Sequence, residues 1–336
     1  MSKSILVASL LVAMIAGVFT TESSAAAKPD NVEKMTKAMP DKAPAKPAKA
    51  RKVLIYGHCN GFRHGAAIDA AKIALPMMGK KTGAYEAVVS DDLANFTPDK
   101  IKQFDAVILS NTTGELFTIK GPRKPRKPDP KRIKDAAKLK KAVDRYAKQL
   151  TDYEKKLKEF EASDKPDTEA LRKSFMDWVK AGGAVMGIHA ATDCSYKWKE
   201  FGEMMGGYFA GHPWHMPVPI KNDDPENPIN AAFDGKGFTV TDEIYQFNRG
   251  VYSREKQRVL LSLNMDTIKK KGGSRKDNDY AISWVKTHGK GRVFYCSLGH
   301  RAEIFWNPQV LKHYLAGLQW AMGDLKDVNI TPNPLK

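Results

Sequence analysis

The sequence predicts an α/β fold in which a parallel sheet carries helices on both faces, with a β-rich C-terminal extension and a helical insertion. Three observations predict this class. Short apolar runs alternate with helical patterns in the first half of the chain, as in parallel sheets covered on both faces. The second half contains mostly strand-like runs. A long, highly charged helical pattern interrupts the alternation between the third and fourth predicted strands.

The alternation begins with KVLIYG at residues 52–57, a short β-branched run that ends at a glycine and is typical of a buried parallel strand. AVMGIHA at residues 184–190 has the same character and is predicted to be a central strand. Two glycines at 182–183 end the helix before it. The elements predicted between these two strands are helix 66–78, strand 85–90, a short helix begun by Pro98, strand 104–111 and helix 168–180.

Residues 118–168 are predicted to be a basic helical insertion into this scaffold. The segment starts with a proline-punctuated basic loop, GPRKPRKPDPKR. A helical pattern follows, whose apolar residues alternate in spacing between four and three, which is a heptad pattern. These residues are Leu139, Val143, Tyr146, Leu150, Tyr153, Leu157 and Phe160. The pattern is too short for an independent coiled coil, so the insertion is either a decoration packed on the domain or a surface for a protein contact.

The second half is predicted to be β-rich and to end in a helix. Gly289, Lys290 and Gly291 separate two strand-like runs and predict a hairpin. Pro308 begins the final helix, which places its apolar residues on one stripe. The strand-like runs are MPVPI at 216–220, FTVTDEIYQF at 238–247, RVLLSLN at 258–264 and the two halves of 280–300. The whole domain is predicted to span residues 52–325.

Two segments precede this domain. Residues 1–27 have a positively charged start, an apolar run and a series of small residues, which is the layout of a secretory signal peptide. The expected location is therefore periplasmic or secreted, with no transmembrane helix after cleavage. Residues 28–51 are rich in Lys, Pro and Ala and are predicted to form a disordered tether.

The net charge of +17 arises mainly in two add-on segments. Residues 28–52 contain 8 Lys/Arg and 3 Asp/Glu, and residues 120–173 contain 19 Lys/Arg and 10 Asp/Glu. Because the rest of the chain is nearly neutral, no specific nucleic-acid partner is predicted. The basic segments are expected to be solvated surface, with an anionic polymer or a membrane surface as the alternative partner.

Three cysteines, Cys59, Cys194 and Cys296, lack CxxC spacing. They are expected to be buried thiols near strand ends, and a disulfide between Cys59 and Cys194 is the alternative for an exported chain. Cys194 is expected inside a helix that follows His189.

Polar residues cluster in the turns that follow the predicted strands. Ligands of open parallel sheets bind outside the carboxyl ends of the strands, and six of the eight histidines lie in such turns. His189, within VMGIHAATD, stands where a strand turns sharply into a helix, which is the position of the nucleophile in many α/β enzymes. Imidazoles and carboxylates exchange protons near neutral pH. The predicted catalytic residues are therefore His189, His300, Asp193 and Glu243, and the predicted substrate-binding residues are His58, Phe62, Arg63, His64, Asn111, Thr112, His212, Trp214, Tyr245 and Trp306.

A metal site is the alternative use of these histidines. Zinc or another divalent ion is the cofactor that such a site implies, whereas acid/base catalysis requires none. The spacing of these histidines gives a metal site only weak support, because the chain has no HExxH motif and no close cysteine pair. Phosphate binding is disfavoured, since the chain has no P-loop and no GxGxxG after a strand. The candidate ligands are His58, His189, His212, His215 and His300.

The motifs GHCNGFRH, GGAVMGIHAATD, MMGGYFAGHP, DEIYQF and GKGRVFYCSLGH followed by FWNPQV resemble, in this order, those of the ThuA-like (trehalose-utilisation) family. The resemblance runs from about residue 52 to residue 323, outside the insertion. It implies a flavodoxin-like fold similar to class I glutamine amidotransferases, whose elbow cysteine is activated by a late histidine. Here His189 occupies the elbow and His300 is similar in position to the late histidine. Amide hydrolysis through a thioester is therefore excluded.

The resemblance also implies a role in the catabolism of trehalose and related disaccharides, alongside dehydrogenases that make 3-keto sugars. The leading hypothesis is an exported carbohydrate-active protein that isomerises or cleaves keto-sugars or glycosides by histidine acid/base catalysis. A metal-dependent hydrolase and a non-catalytic carbohydrate-binding module are the alternatives at the same site. The expected partner is a small carbohydrate in each case. The tether and the insertion depart from the family pattern and argue against an intracellular trehalose role.

Overall fold

A computed structural model describes residues 28–247, 250–269 and 272–335. The predicted signal peptide, residues 1–27, lies outside the described residues. The strands are β1 (Lys52–Tyr56), β2 (Glu86–Val89), β3 (Ala106–Ser110), β4 (Ala184–Ile188), β5 (Trp214–Asn222), β6 (Phe238–Ile244), β7 (Arg258–Leu263), β8 (Ala281–His288) and β9 (Gly291–Cys296). The helices are α1 (Pro29–Ala38), α2 (Gly65–Thr82), α3 (Pro98–Ile101), α4 (Ala136–Ala162), α5 (Thr168–Ala181), α6 (Lys199–Met205) and α7 (Pro308–Ala321).

These strands form one sheet in the order β2-β1-β3-β4-β9-β8-β7-β5-β6. The first five strands in that order run parallel to one another. Successive side chains of a strand point to opposite faces, so the residues of β1 enter two different apolar layers. Val53 and Ile55 pack in the layer of α2 and α7, whereas Leu54 and Tyr56 pack in the layer of α3, α5 and α6. The structure thus confirms the predicted α/β class with helices on both faces.

The antiparallel part continues the same sheet. β8 pairs with β9 as a hairpin, and Gly289 at the turn has a φ of +60°. β7, β5 and β6 extend the sheet beyond β8. The predicted β-rich extension is therefore joined edge to edge to the parallel strands. This arrangement carries the end of β6 back toward the carboxyl ends of β4 and β9.

The prediction that residues 28–51 form a disordered tether is wrong. The segment contains α1, and the side chain of Met35 on this helix is completely buried. Further along, the backbone N–H and carbonyl of Ala45 both hydrogen-bond to the side chain of Gln319. The Arg51 guanidinium contacts the Asp324 carboxylate at 2.6 Å. Composition alone suggested too few apolar residues to pack, but a helix gathers the few that exist onto one face.

The insertion contains α4, a helix of 27 residues with none of them buried. The heptad residues lie on its better covered side: six of the seven are half-buried, and Val143 is exposed. The preceding basic loop lies along this side, where Gly121 approaches the Phe160 ring and residues 122–127 face Tyr146 and Tyr153. The basic loop and this side of α4 therefore face each other across a cleft, and they come close together at Gly121 and Phe160.

The three cysteines are free thiols, and Cys194 and Cys296 are buried. Cys194 does not lie in a helix as expected, because the chain after His189 makes a single 3-10 turn and then a β-bridge to Gly114. Among the described residues, no helix is both long and apolar enough to cross a membrane.

Candidate functional site

Four side chains from distant parts of the chain meet beyond the carboxyl ends of the parallel strands. His64 caps α2 after β1, His189 follows β4, and His300 follows β9. Glu243 comes from the end of β6. One nitrogen from each histidine and one carboxylate oxygen all lie within 4.8 Å of one another. We call these residues the His64/His189/Glu243/His300 cluster.

The backbone holds His189 in a fixed orientation. Its φ of +47° is left-handed, a strained conformation for a residue with a side chain, and it marks the sharp elbow that the sequence predicts. The Nδ1 atom lies 2.6 Å from the carbonyl oxygen of Ser297. A carbonyl oxygen only accepts hydrogen bonds, so Nδ1 carries the proton. The Tyr295 hydroxyl donates a hydrogen bond to the His189 carbonyl oxygen at 2.7 Å and so stabilises the elbow. In the neutral ring, Nε2 therefore presents a lone pair to the cluster.

Asp242 places the loop that carries His300. This carboxylate is completely buried and accepts the backbone N–H groups of Gly299 at 2.6 Å, His300 at 3.3 Å and Arg301 at 3.0 Å. Gly299 has a φ of +126°, which only glycine adopts readily. Sequence reasoning did not select Asp242 as a site residue. Its position directly before Glu243 in DEIYQF is the signal that could have found it.

The Glu243 carboxylate is the centre of charge in the cluster. Its Oε2 atom lies 3.4 Å from Nε2 of His189 and 3.1 Å from Nδ1 of His300. Burial alone would raise the pKa of Glu243, yet these two imidazoles hold it well below its ordinary value. Burial alone would lower the pKa of His300, but the Glu243 carboxylate raises it. Glu243 is thus an anion at neutral pH.

His64 completes the cluster as a neutral ring. Burial, reinforced by the nearby imidazoles of His189 and His300, lowers the pKa of His64 to about 3. Its ring centre lies 5.1 Å from that of His189 and 5.0 Å from that of His300. A buried imidazole that stays neutral keeps a lone pair for a ligand.

The cluster has the donors that a divalent ion requires. Within the described part of the chain, Nδ1 of His64, Nε2 of His189 and Nδ1 of His300 are buried and have no hydrogen-bond partner. Buried polar atoms without partners are costly. In a tetrahedral site with bonds of about 2.05 Å, ligand atoms lie about 3.3 Å apart. The distances of 3.1 and 3.4 Å from Glu243 match that spacing. Three imidazoles and a carboxylate suit Zn²⁺ and similar ions.

Other predicted residues surround the cluster without joining it. His212 is exposed at the rim and brings Nδ1 to 3.4 Å from Oε1 of Glu243. The ring of His215 lies 4.8 Å from that of His300 on its outer side. His58 stands at a neighbouring turn, beside the Tyr56 ring. Of the five candidate metal ligands from the sequence, only His189 and His300 belong to the cluster. The other two members of the cluster are His64, which the sequence predicts to bind substrate, and Glu243, which it predicts to be catalytic.

Two of the predicted substrate-binding aromatic residues are internal. Trp214 is 1 % exposed and packs edge-on against Tyr280, so the prediction that it contacts substrate is wrong. The alternation of β5 turns this side chain into the core while its neighbour His215 faces outward. Tyr245 is also 1 % exposed and lies beneath the His189 ring, with 4.2 Å between ring centres. Tyr245 therefore supports the cluster from inside.

The remaining predicted residues either are buried around the site or lie on the surface. Asn111 and Thr112 are completely buried, and Asn111 donates to the Gly299 carbonyl oxygen at 3.1 Å. Asp193 lies outside the cluster and accepts a hydrogen bond from the Tyr196 hydroxyl. Three residues are accessible: Phe62 stands exposed beside His64, Arg63 pairs with Asp69, and Trp306 lines a cleft next to His300.

The protein is therefore of the class in which a doubly covered α/β sheet carries a polar cluster, here of histidines and a carboxylate, at its strand ends. The family model described as "ThuA: Trehalose utilisation" matches residues 136–321, which is more than half of the chain. The chain therefore belongs to the ThuA family, and this membership indicates a carbohydrate-related function in trehalose utilisation. No curated protein matches the chain.

Two solved structures resemble this one in fold. A ThuA-like protein from Bacteroides uniformis ATCC 8492 aligns with a TM-score of 0.55 and 21% identity, covering 82% of this chain and 94% of its own. A ThuA-like protein from Parabacteroides merdae ATCC 43184 aligns with a TM-score of 0.50 and 15% identity, covering 84% of this chain and 93% of its own. Both likenesses support the flavodoxin-like arrangement.

Proposed function

We propose that this protein is a carbohydrate-active enzyme that cleaves or isomerises a glycoside or keto-sugar with a divalent ion held by the His64/His189/Glu243/His300 cluster. One observation carries the proposal: three buried imidazole nitrogens without hydrogen-bond partners belong to the cluster that also contains the Glu243 carboxylate. A set of protonated histidines would place like charges together, whereas a single ion uses every lone pair. Membership of the ThuA family is the reason for proposing a carbohydrate substrate.

The four side chains have distinct tasks in this proposal. His64 stays neutral because burial lowers its pKa, and the Ser297 carbonyl oxygen orients His189 by holding a proton on its Nδ1 atom. Glu243 adds the negative charge that an all-imidazole set lacks. The ion, when bound, supplies Lewis-acid polarisation of a sugar oxygen or of water. His212, exposed and 3.4 Å from Glu243, stands at the rim between the cluster and solvent.

A second candidate is acid/base catalysis without a metal. The contact between Glu243 and Nδ1 of His300, at 3.1 Å, favours it, because the carboxylate raises the pKa of this imidazole. His300 would then donate a proton to the leaving oxygen while His189 accepts one. This mechanism leaves Nδ1 of His64 without a partner, which is why the metal mechanism is preferred.

Metal content and turnover test the proposal together. We expect about one equivalent of a divalent transition metal per chain by mass spectrometry. Cleavage or isomerisation of disaccharides and their 3-keto derivatives should stop with a chelator and return with Zn²⁺ or Mn²⁺. His189→Gln should lose both metal and turnover, and His58→Gln, a histidine at a neighbouring turn, should keep both. Turnover that is unaffected by metal removal would favour the second candidate. Sugar binding without turnover would indicate a binding module.

We also propose that the protein acts after export, on the basis of the signal-peptide layout of residues 1–27. Amino-terminal sequencing of protein from the extracytoplasmic fraction should begin near residue 26 or 28. A chain that retains residue 1 and stays in the cytoplasmic fraction would contradict export.

A further inference from the structure

A cleft of about 530 Å³ adjoins the outer side of His300. One wall is α1, which contributes Asn31 and Lys34, and the opposite wall is the turn from Arg301 to Trp306. Pockets of about 300–1,000 Å³ accommodate small organic ligands. Because His300 belongs to both the cleft and the cluster, a molecule in this cleft lies directly beside the proposed reaction centre.

The Arg301 guanidinium is the unusual group in this cleft. Its backbone N–H is bound by Asp242, which fixes the start of the side chain. The Nε atom is buried and has no hydrogen-bond partner, and across the described residues this guanidinium forms no ion pair. The planar fork of a guanidinium binds a carboxylate or phosphate in a bidentate manner. The half-buried Arg301 side chain lines the cleft and is free to meet such an anion there.

The rest of the lining favours an anion on a sugar ring. Lys34 and His215 bring two more basic groups, against one acidic group, the exposed Glu303 at the rim. The half-buried Trp306 lines the cleft, and the Lys34 Nζ atom lies over one face of its ring, 5.8 Å from the ring centre. An aromatic face beside polar side chains suits the apolar face and hydroxyl groups of a pyranose.

We propose that this cleft binds a sugar ring that carries a carboxylate, such as a uronic acid residue, next to the bond that the cluster acts on. Arg301 holds the carboxylate, Lys34 reinforces it from α1, and Trp306 supports the ring. This inference rests on the proposed function only for the statement that the ring belongs to the substrate. Because Lys34 lies on α1, the docked segment of residues 28–51 contributes to the substrate specificity of the site.

Binding of three probes tests the inference: methyl glucuronide, methyl glucoside and acetate, measured by calorimetry at pH 7.5. The glucuronide should bind about tenfold more tightly than the glucoside, as expected for one charged hydrogen-bonded pair. Acetate should bind weakly, because it lacks the ring. Arg301→Gln should abolish the preference, Arg301→Lys should retain part of it, and Lys34→Gln should reduce it. Lys37→Gln changes a lysine on the same helix that pairs with Glu33, and should leave the preference intact.

The outcome is separable from that of the metal proposal. Repeating the titrations after chelation should leave the preference for the glucuronide unchanged, because Arg301 is not a metal ligand. Equal binding of glucuronide and glucoside, or no binding of either, would overturn the inference. A preference that survives in Arg301→Gln would also overturn it, since the carboxylate would then bind elsewhere. Each of these results leaves the metal content of the cluster as an independent measurement.

Discussion

The Nδ1 atom of His189 lies 2.6 Å from the carbonyl oxygen of Ser297, and this contact orients the imidazole ring. The carbonyl fixes the proton on Nδ1, so Nε2 is left to face Glu243 at 3.4 Å. A histidine whose outer N–H is held by a backbone carbonyl is the usual arrangement for a metal ligand, because it fixes the tautomer and the ring orientation. A cysteine at such an elbow would attack a carbonyl carbon. In the proposed mechanism the imidazole instead offers a lone pair to an ion.

Metal binding should stabilise the fold. At a free Zn²⁺ concentration 100 times the Kd, binding adds about 2.7 kcal/mol to the free energy of unfolding. We expect a rise in Tm of a few degrees in differential scanning fluorimetry. His64→Gln should remove this rise, because it deletes one of the three imidazole donors. His58→Gln should retain it. An equal response of both variants would mean that Zn²⁺ binds elsewhere on the protein.

Asp242→Asn should weaken the site through the position of His300. The carboxylate accepts three backbone N–H groups, and an amide has only one accepting oxygen. We expect a loss of about 1–3 kcal/mol of stability and a metal affinity lower by about 10–100-fold. Asp279→Asn is the matched control, since Asp279 is a buried carboxylate bound by Tyr252 and Arg254. It should lose stability at unchanged metal affinity, and a parallel loss of affinity would refute the positioning role.

His313 should make the fold sensitive to acid. This ring is completely buried between the Ser283 hydroxyl and the Ile229 carbonyl oxygen, and burial lowers its pKa to about 4. Between about pH 6.5 and pH 4 the unfolded chain binds a proton that the folded chain does not, so stability falls as the pH falls. From pH 7 to pH 5 this costs about 2 kcal/mol. Urea unfolding of His313→Gln should show a correspondingly smaller loss over this interval than the unchanged protein.

Met35→Ala should destabilise the protein although it lies in a lysine- and proline-rich segment. The side chain is completely buried in the layer that includes α2 and α7, so truncation leaves a cavity and costs about 2–5 kcal/mol. Lys37→Ala, on the exposed side of the same helix, should cost less than about 0.5 kcal/mol. Chemical denaturation measures both variants. Equal stability of Met35→Ala and the unchanged protein would show that α1 does not contribute to the folded domain.

The sequence by itself determined the α/β class and the elbow. Short β-branched runs ending at glycine, such as 52–57, form buried parallel strands wherever they pair, because their side chains need apolar cover on both faces. The strand-to-helix change at His189 is likewise local, and the structure places it at a φ of +47°. Composition led to the wrong prediction for residues 28–51, because packing depends on where Met35 lies on a helix and not on how many lysines surround it.

Only the tertiary structure decided which side chains share the site. Along the chain, successive members of the cluster (His64, His189, Glu243 and His300) are 125, 54 and 57 residues apart, and no spacing rule joins them. They meet because the parallel strands end at one edge and the antiparallel strands return Glu243 to it. The same long-range folding buries Trp214, which sequence could not distinguish from an exposed platform. The assembled sheet thus determines which side chains meet in the site.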